Sequence, residues 1–172
     1  PACTQDIIEA DIKKVFIATK DPSQKGLEVL KKAGIEIEVG LCQKSALNLN
    51  KGFFMRMNKK RPFVTCKIAC SLDGGVALQN GESKWITSNQ SRLDAHKLRA
   101  SSDAIMTGIG TVLADNPQMT ARLGTKAIMN LVSQPTRLVL DSHLKLKGNE
   151  NLVLDDFETT IFCFKEKKLT YI

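Results

Sequence analysis

Arg92, His96 and Arg99 stand at i, i+4 and i+7, so they line one face of any helix that contains them. A guanidinium on such a face can grip a phosphate through two parallel hydrogen bonds. Without further context the same pattern reads as a solvated basic face. Arg122 adds another guanidinium shortly after the turn Asp115-Asn116-Pro117. Between them lies Gly108-Ile109-Gly110-Thr111, where a strand ends in glycines and a helix begins with a hydroxyl. Backbone N–H groups at such a helix start can hold a phosphate. The stretch is not a Rossmann fingerprint, which needs a third glycine where Leu113 stands. A plain tight turn is the competing reading. Trp85, the only tryptophan, follows Glu82 and Ser83 in a loop and suits a ring lying against a flat ligand, or a lid over the core.

Charge points the same way. The 172 residues carry 25 Lys and Arg against 18 Asp and Glu, a net charge of +7, which favours anionic partners such as phosphorylated metabolites or cofactors. Nucleic-acid binders add aromatic stacking platforms, yet aromatics are only 5% here and the basic residues are scattered in pairs, so no nucleic acid is expected. Cysteines at 3, 42, 66, 70 and 163 are odd in number and irregular in spacing, against a disulfide framework. His96 and His143 are the only histidines, and no cluster would complete a zinc site from this chain alone. Hydrophobic residues at 42% and charged residues at 25% fit a soluble globular chain. No apolar run is long enough for a membrane span and no leader is seen, so a cytoplasmic protein is expected.

The elements that must position these groups alternate between helix and strand. Thr4 is expected to cap a short helix carrying Ile7 and Ile8, and Lys14 to Thr19 reads as a buried strand. Asp21-Pro22 is expected to open a helix that stops at Gly34, with Ile35 to Val39 as a half-buried strand after it. This is βαβ grammar with parallel pairing. Cys42, Ala46, Leu49, Phe53 and Met57 form one helical stripe from about Gln43 to Met57, read as packing. Asn58 to Pro62 is a charged, proline-terminated breaker and the expected domain boundary. From Phe63 the alternation of Val64, Cys66, Ile68 and Cys70 predicts a strand with both cysteines in the core. Ser71-Leu72-Asp73-Gly74-Gly75 reads as a turn, and Thr87 with Gln90 as a capping box for a helix to about Ala100. Asp103 to Thr107, Arg137 to Leu140 and Thr160 to Phe164 read as strands.

Five segments in order carry a resemblance to a known family. They are Ser-Leu-Asp-Gly-Gly at 71–75, Gly-Glu-Ser-Lys-Trp-Ile-Thr at 81–87, Leu-Arg-Ala-Ser-Ser-Asp-Ala-Ile at 98–105, Thr-Gly-Ile-Gly-Thr-Val-Leu-Ala-Asp-Asn-Pro at 107–117 and Leu-Asp-Ser at 140–142. The chain resembles the bifunctional riboflavin-biosynthesis deaminase/reductase family. Ala-Gly-Ile-Glu-Ile-Glu-Val-Gly at 33–40 and Leu-Asn-Lys-Gly-Phe-Phe at 49–54 resemble the end of that family's deaminase domain.

The resemblance implies an α/β fold: the C-terminal part of a cytidine-deaminase-like αβα domain over 1–61, then the first half of a dihydrofolate-reductase-like domain over 62–172. It implies a zinc deaminase acting on a phosphorylated pyrimidine and a reductase that uses NADPH to convert its ribose to a ribityl chain, in a cytoplasmic homo-oligomer. It places Ala69, Trp85, Thr111, Asp115 and Ser142 on the NADPH side, and Ser83, Arg99, Met119 and Arg122 on the substrate side. Cys3 resembles the last zinc-binding cysteine of the deaminase motif. The other ligands and the proton-shuttling glutamate of that motif would precede residue 1, so the chain as given is expected not to deaminate. Gly75 stands where many members carry Lys or Arg, and 21–26 is shorter than the family's loop. A dihydrofolate-type pteridine reductase is the nearest rival, against which Arg99 and Arg122 argue because a pteridine has no phosphate. A basic RNA-binding module is the rival of another class.

Overall fold

The computed structural model describes residues 2–124 and 133–164. They form a mixed α/β arrangement with two parallel sheets, and the chain divides into two compact units, Pro1–Cys66 and Lys67–Ile172.

In the first unit α1 (Ala2–Glu9) precedes β1 (Lys14–Ile17), α2 (Gly26–Lys32) and β2 (Glu36–Val39). The strands pair in parallel from Lys14↔Glu36 to Ile17↔Val39, as the βαβ pattern requires. Leu30 and Ile35 are buried at the α2–β2 junction, where Gly34 adopts φ +80, the left-handed geometry that stops the helix. Three expectations need correction. Thr4 does not cap α1: it lies within the helix and is buried. Asp21 does not open α2: its carboxylate accepts from the Ser23 N–H at 2.8 Å and the Ser23 hydroxyl at 2.6 Å, closing a local turn, so the helix begins at Gly26. The long helix is two, α3 (Gln43–Leu49) and α4 (Lys51–Lys59), parted at Asn50, whose side chain donates back to the Ala46 carbonyl at 3.0 Å. Its apolar stripe is only half-buried at Ala46 and Met57, while Leu49 and Phe53 are exposed.

In the second unit α5 (Asn89–Ala100) is followed by β3 (Ala104–Gly108), α6 (Ile109–Asp115), β4 (Thr136–Leu140), the short α7 (Asn151–Leu154) and β5 (Thr159–Phe162). The sheet order is β3-β4-β5, all parallel. Period-two alternation sends Arg137 and Val139 of β4 to the buried face. There Val112, Met119, Val139 and Leu152 form the core, with Ile105, Ile109 and Leu146 packed against it. Burying each such aliphatic side chain contributes about 1.5–3 kcal/mol.

The expected strand from Phe63 to Cys70 has no ladder partner among the described residues. Val64 is 78% and Ile68 67% exposed, and Cys66 and Cys70 are exposed rather than in the core. Alternation specifies the two faces of a strand but not its neighbour, and a strand without a neighbour buries neither face. The capping residue of α5 is Ser88, whose hydroxyl accepts from the Ser91 N–H at 3.2 Å, one residue beyond the expected Thr87.

Candidate functional site

The segment 118–122 follows α6, and side chains from elsewhere in the unit hold four of its five residues by hydrogen bonds while Met119 packs in the core. The Gln118 carbonyl accepts from Arg137 at 2.9 Å. Met119 is 6% exposed, in the core, with φ +55, a backbone region that a non-glycine residue occupies only when its surroundings hold it there. The Thr120 carbonyl accepts from the Arg99 guanidinium at 3.1 Å. Ala121 is bracketed by the Gln134 amide, which accepts from its N–H at 2.8 Å and donates to its carbonyl at 3.0 Å. The Arg122 N–H donates to His96 Nδ1 at 3.2 Å.

This clasp brings Arg99, His96 and Arg122 together. The Arg122 guanidinium donates to Thr120 Oγ1 at 3.2 Å and Gln118 Oε1 at 3.3 Å, both neutral groups. Among the described residues neither Arg99 nor Arg122 pairs with a carboxylate. Burial first, then the Arg122 charge, pulls the Arg99 guanidinium below its ordinary value. Burial, then Arg122 and Arg99, does the same to the His96 imidazole. Two guanidiniums without a counter-charge among the described residues, one half-buried, make a local excess of positive charge that fits an anion with several acceptor oxygens.

The basic stripe of α5 therefore divides. Arg92 does not join Arg99: its guanidinium lies 4.2 Å from the centroid of the Trp85 ring and donates to the Thr87 carbonyl at 2.6 Å. Trp85 remains 71% exposed, so it is not a lid over the core.

A second group of expected residues gathers at the carboxyl ends of β3 and β4, where open parallel sheets present ligand sites. Gly108 pairs with Leu140 at the end of the ladder, so Ile109 and Asp141-Ser142 leave the sheet side by side. Thr111 and Asp115, one helical turn apart on α6, are exposed. The Asp115 carboxylate has no hydrogen-bond partner among the described residues. The turn after it is held at Asn116, whose side-chain and main-chain carbonyl oxygens accept from the Asn151 N–H and side-chain amide, both at 2.8 Å. Ser142 is exposed and its carbonyl accepts from the Phe164 N–H at 3.2 Å. Next to it Asp141 is wholly buried. Its Oδ2 accepts from the Leu146 N–H at 3.0 Å, and its Oδ1 has no partner among the described residues.

Ala69 and Ser83 lie in a stretch closed by turns of its own. The Ser71 N–H donates to the Gly75 carbonyl at 2.9 Å, and the Gly75 N–H donates to Ser71 Oγ at 3.0 Å. A Cβ at Gly75 would meet that hydroxyl at 3.0 Å, so a side chain there requires Ser71 to shift. The Leu78 N–H donates to the Glu82 carbonyl at 2.8 Å, just before Ser83. No described contact joins Ala69 or Ser83 to the Arg99–Arg122 group. Cys3 is exposed on α1, and no three His, Cys, Asp or Glu side chains come together among the described residues, so these residues alone do not make a zinc site.

Sequence reading missed the residues that build the clasp. Arg137, wholly buried, donates to Asp155 at 2.5 and 2.8 Å, and to the Gln118, Leu152 and Phe157 carbonyls at 2.9, 3.0 and 2.6 Å. An arginine on the buried face of an otherwise aliphatic strand was the available signal: its charge must find partners there. Gln134 carried no such signal.

The profile of the RibD C-terminal domain family matches residues 62–171. The chain is 44% identical over 159 residues to the riboflavin biosynthesis protein RibD of Bacillus amyloliquefaciens, covering 90% of this chain and 42% of that protein. It is 40% identical over 171 residues to the RibD of Aquifex aeolicus, covering 97% and 47%. Among solved structures, a diaminohydroxyphosphoribosylaminopyrimidine deaminase/5-amino-6-(5-phosphoribosylamino)uracil reductase from Thermotoga maritima superposes with a TM-score of 0.86 at 37% identity, over 97% of this chain and 47% of that one. The RibD of Acinetobacter baumannii gives 0.86 at 37% identity, over 95% and 48%. The chain thus spans about half the length of the proteins it matches.

Proposed function

The chain belongs to the RibD C-terminal domain family, and from that premise we propose that residues 62–172 are part of a reductase domain of the dihydrofolate-reductase type. Residues 1–61 are part of a cytidine-deaminase-like domain. The reductase converts the ribose of a phosphoribosylamino-pyrimidine to a ribityl chain in riboflavin biosynthesis, with NADPH as reductant.

The observation that carries this reading is the pairing of Arg99 and Arg122, two guanidiniums without a carboxylate partner among the described residues, on a segment held by side-chain hydrogen bonds at 118, 120, 121 and 122. Such a pair suits a sugar phosphate and has no use for an unphosphorylated pteridine. Met119 and Ser83 complete the substrate side. Ala69, Trp85, Thr111, Asp115 and Ser142 serve the cofactor. The donor set fits NADPH: exposed side chains of Thr111 and Asp115, without partners among the described residues, beside the carboxyl ends of two parallel strands, and an exposed indole. NADPH, when bound, supplies the hydride. This chain's residues bind and orient: the arginines hold the phosphate end, so the sugar presents its C1′ in one direction rather than many. Cys3 is proposed as one ligand of the deaminase zinc.

The test is a titration of the full chain with ribose 5-phosphate and with ribose. Ribose 5-phosphate should bind and ribose should not. Replacing Arg99 or Arg122 with alanine should weaken ribose 5-phosphate by about 10–100-fold, the worth of a charge-assisted hydrogen bond, while NADPH affinity holds. Equal loss of both ligands would show that the arginines hold the fold. Tight binding of short single-stranded RNA without NADPH would favour an RNA-binding module instead.

A further inference from the structure

From the hydrogen bond between His96 Nδ1 and the Arg122 N–H, at 3.2 Å, we infer that His96 is a positioning residue for the anion site, with its imidazole neutral and its proton on Nε2. The inference rests on the reading of Arg122 as a phosphate ligand. It goes further in assigning the residue that sets where Arg122 stands.

A main-chain N–H can only donate, so the ring atom that meets it must be an unprotonated acceptor. In neutral imidazole one nitrogen accepts and the other carries the proton, so acceptance at Nδ1 places the proton on Nε2. The surroundings support that state. The charges acting on His96 are Arg122 from the loop and Arg99 from its own helix, and both oppose an imidazolium, as does burial. Only the Thr120 backbone favours it. At neutral pH the ring is therefore uncharged and free to accept.

The consequence is geometric. Arg99 holds the loop at Thr120, Gln134 holds it at Ala121, and His96 holds it at Arg122, the residue whose side chain completes the guanidinium pair. Arg99 and His96 lie three residues apart on α5, so one turn of that helix supplies both an anion ligand and the anchor for the other ligand. Loss of the acceptor frees the Arg122 main chain from α5 while leaving the Gln134 clasp intact.

Two substitutions separate the nitrogens. Asparagine places its carbonyl oxygen where Nδ1 stands, and glutamine reaches instead to the position of Nε2. In the full chain, His96→Gln should weaken ribose 5-phosphate by about tenfold. His96→Asn should recover most of that loss, to within about threefold of the unsubstituted chain. Lowering the pH through the His96 titration should weaken ribose 5-phosphate more steeply in the unsubstituted chain than in His96→Asn. That comparison removes the titration of the ligand's own phosphate. A long-range 1H–15N spectrum of the histidines should show a bare Nδ1 and a protonated Nε2 on His96. This last reading stands even where a variant folds poorly.

The outcomes separate the two claims. If ribose 5-phosphate fails to bind the unsubstituted chain, or binds Arg122→Ala as well, the functional reading falls. If Arg122→Ala loses affinity but His96→Gln binds normally, or Asn and Gln lose equally, or Nδ1 carries the proton, only the role of His96 is overturned.

Discussion

Within the second unit, 118–122 and 71–83 both carry expected ligand contacts, but they are held in opposite ways. The first is clasped by side chains from far along the chain: Arg99 reaches forward across 21 residues, and Gln134 and Arg137 reach back across 13 and 19. The second is closed by its own turns, Ser71 with Gly75 and Leu78 with Glu82, each spanning four residues. Long-range clasps fix a guanidinium against the rest of the domain before any ligand arrives, which suits a group that must orient a substrate. Local turns fix only the shape of the stretch itself. The difference assigns preorganisation to the Arg99–Arg122 pair and not to the stretch that carries Ser83.

If that contrast is real, substitutions at the two places should differ sharply in cost. The largest effect belongs to Arg137→Leu, which leaves the Asp155 carboxylate and three carbonyls without their donor. Destabilisation of about 3–5 kcal/mol is expected, read as a lowered urea midpoint. A loss below about 1 kcal/mol would show that the clasp is not what holds 118–122.

The same pair adds a pH dependence. The Arg137 hydrogen bonds hold the Asp155 carboxyl below its ordinary 3.8. A depressed folded-state value means that this stabilisation is present above 3.8 and is lost as pH falls below it. Amide protection at Ala121 and Arg122, taken against the intrinsic exchange rate at each pH, should therefore fall in acid more in the unsubstituted chain than in Arg137→Leu. Gln134→Ala comes next, at about 1–3 kcal/mol for two hydrogen bonds to a buried residue, with weaker ribose 5-phosphate binding. Ser71→Ala should cost least, about 0.5–1 kcal/mol, because its partners are exposed and water can replace it. A larger penalty at Ser71 than at Gln134 would reverse the comparison.

What was legible in the sequence follows the same division. The Ser71–Gly75 turn, the stop at Gly34 and the three strands of the second sheet were readable because periodicity and turn chemistry are local. Arg99 and Arg122 were readable as a phosphate pair only through ordered motifs. Nothing local says that Arg92, on the same predicted face, turns instead to Trp85. Phe63 to Cys70 has a strand's pattern, yet pairing depends on a neighbour that its own residues do not name. One periodic helix divides into two at Asn50, where the side chain joins the main-chain N–H in donating to the Ala46 carbonyl, a feature that hydrophobic spacing does not record.

The partners of the Arg137 guanidinium also set an order of events during synthesis. Gln118 leaves the ribosome before Arg137, and Asp155 leaves after it. Until Asp155 emerges, the guanidinium lacks the counter-charge that makes its burial tolerable, so Gln118 gains no settled donor from β4. The fixed form of 118–122 is therefore a late product of translation, although its own residues are made early. Nascent chains halted at successive lengths should stay open to proteolysis at 118–122 until Asp155 has cleared the exit tunnel, and protection appearing before that point would contradict this order.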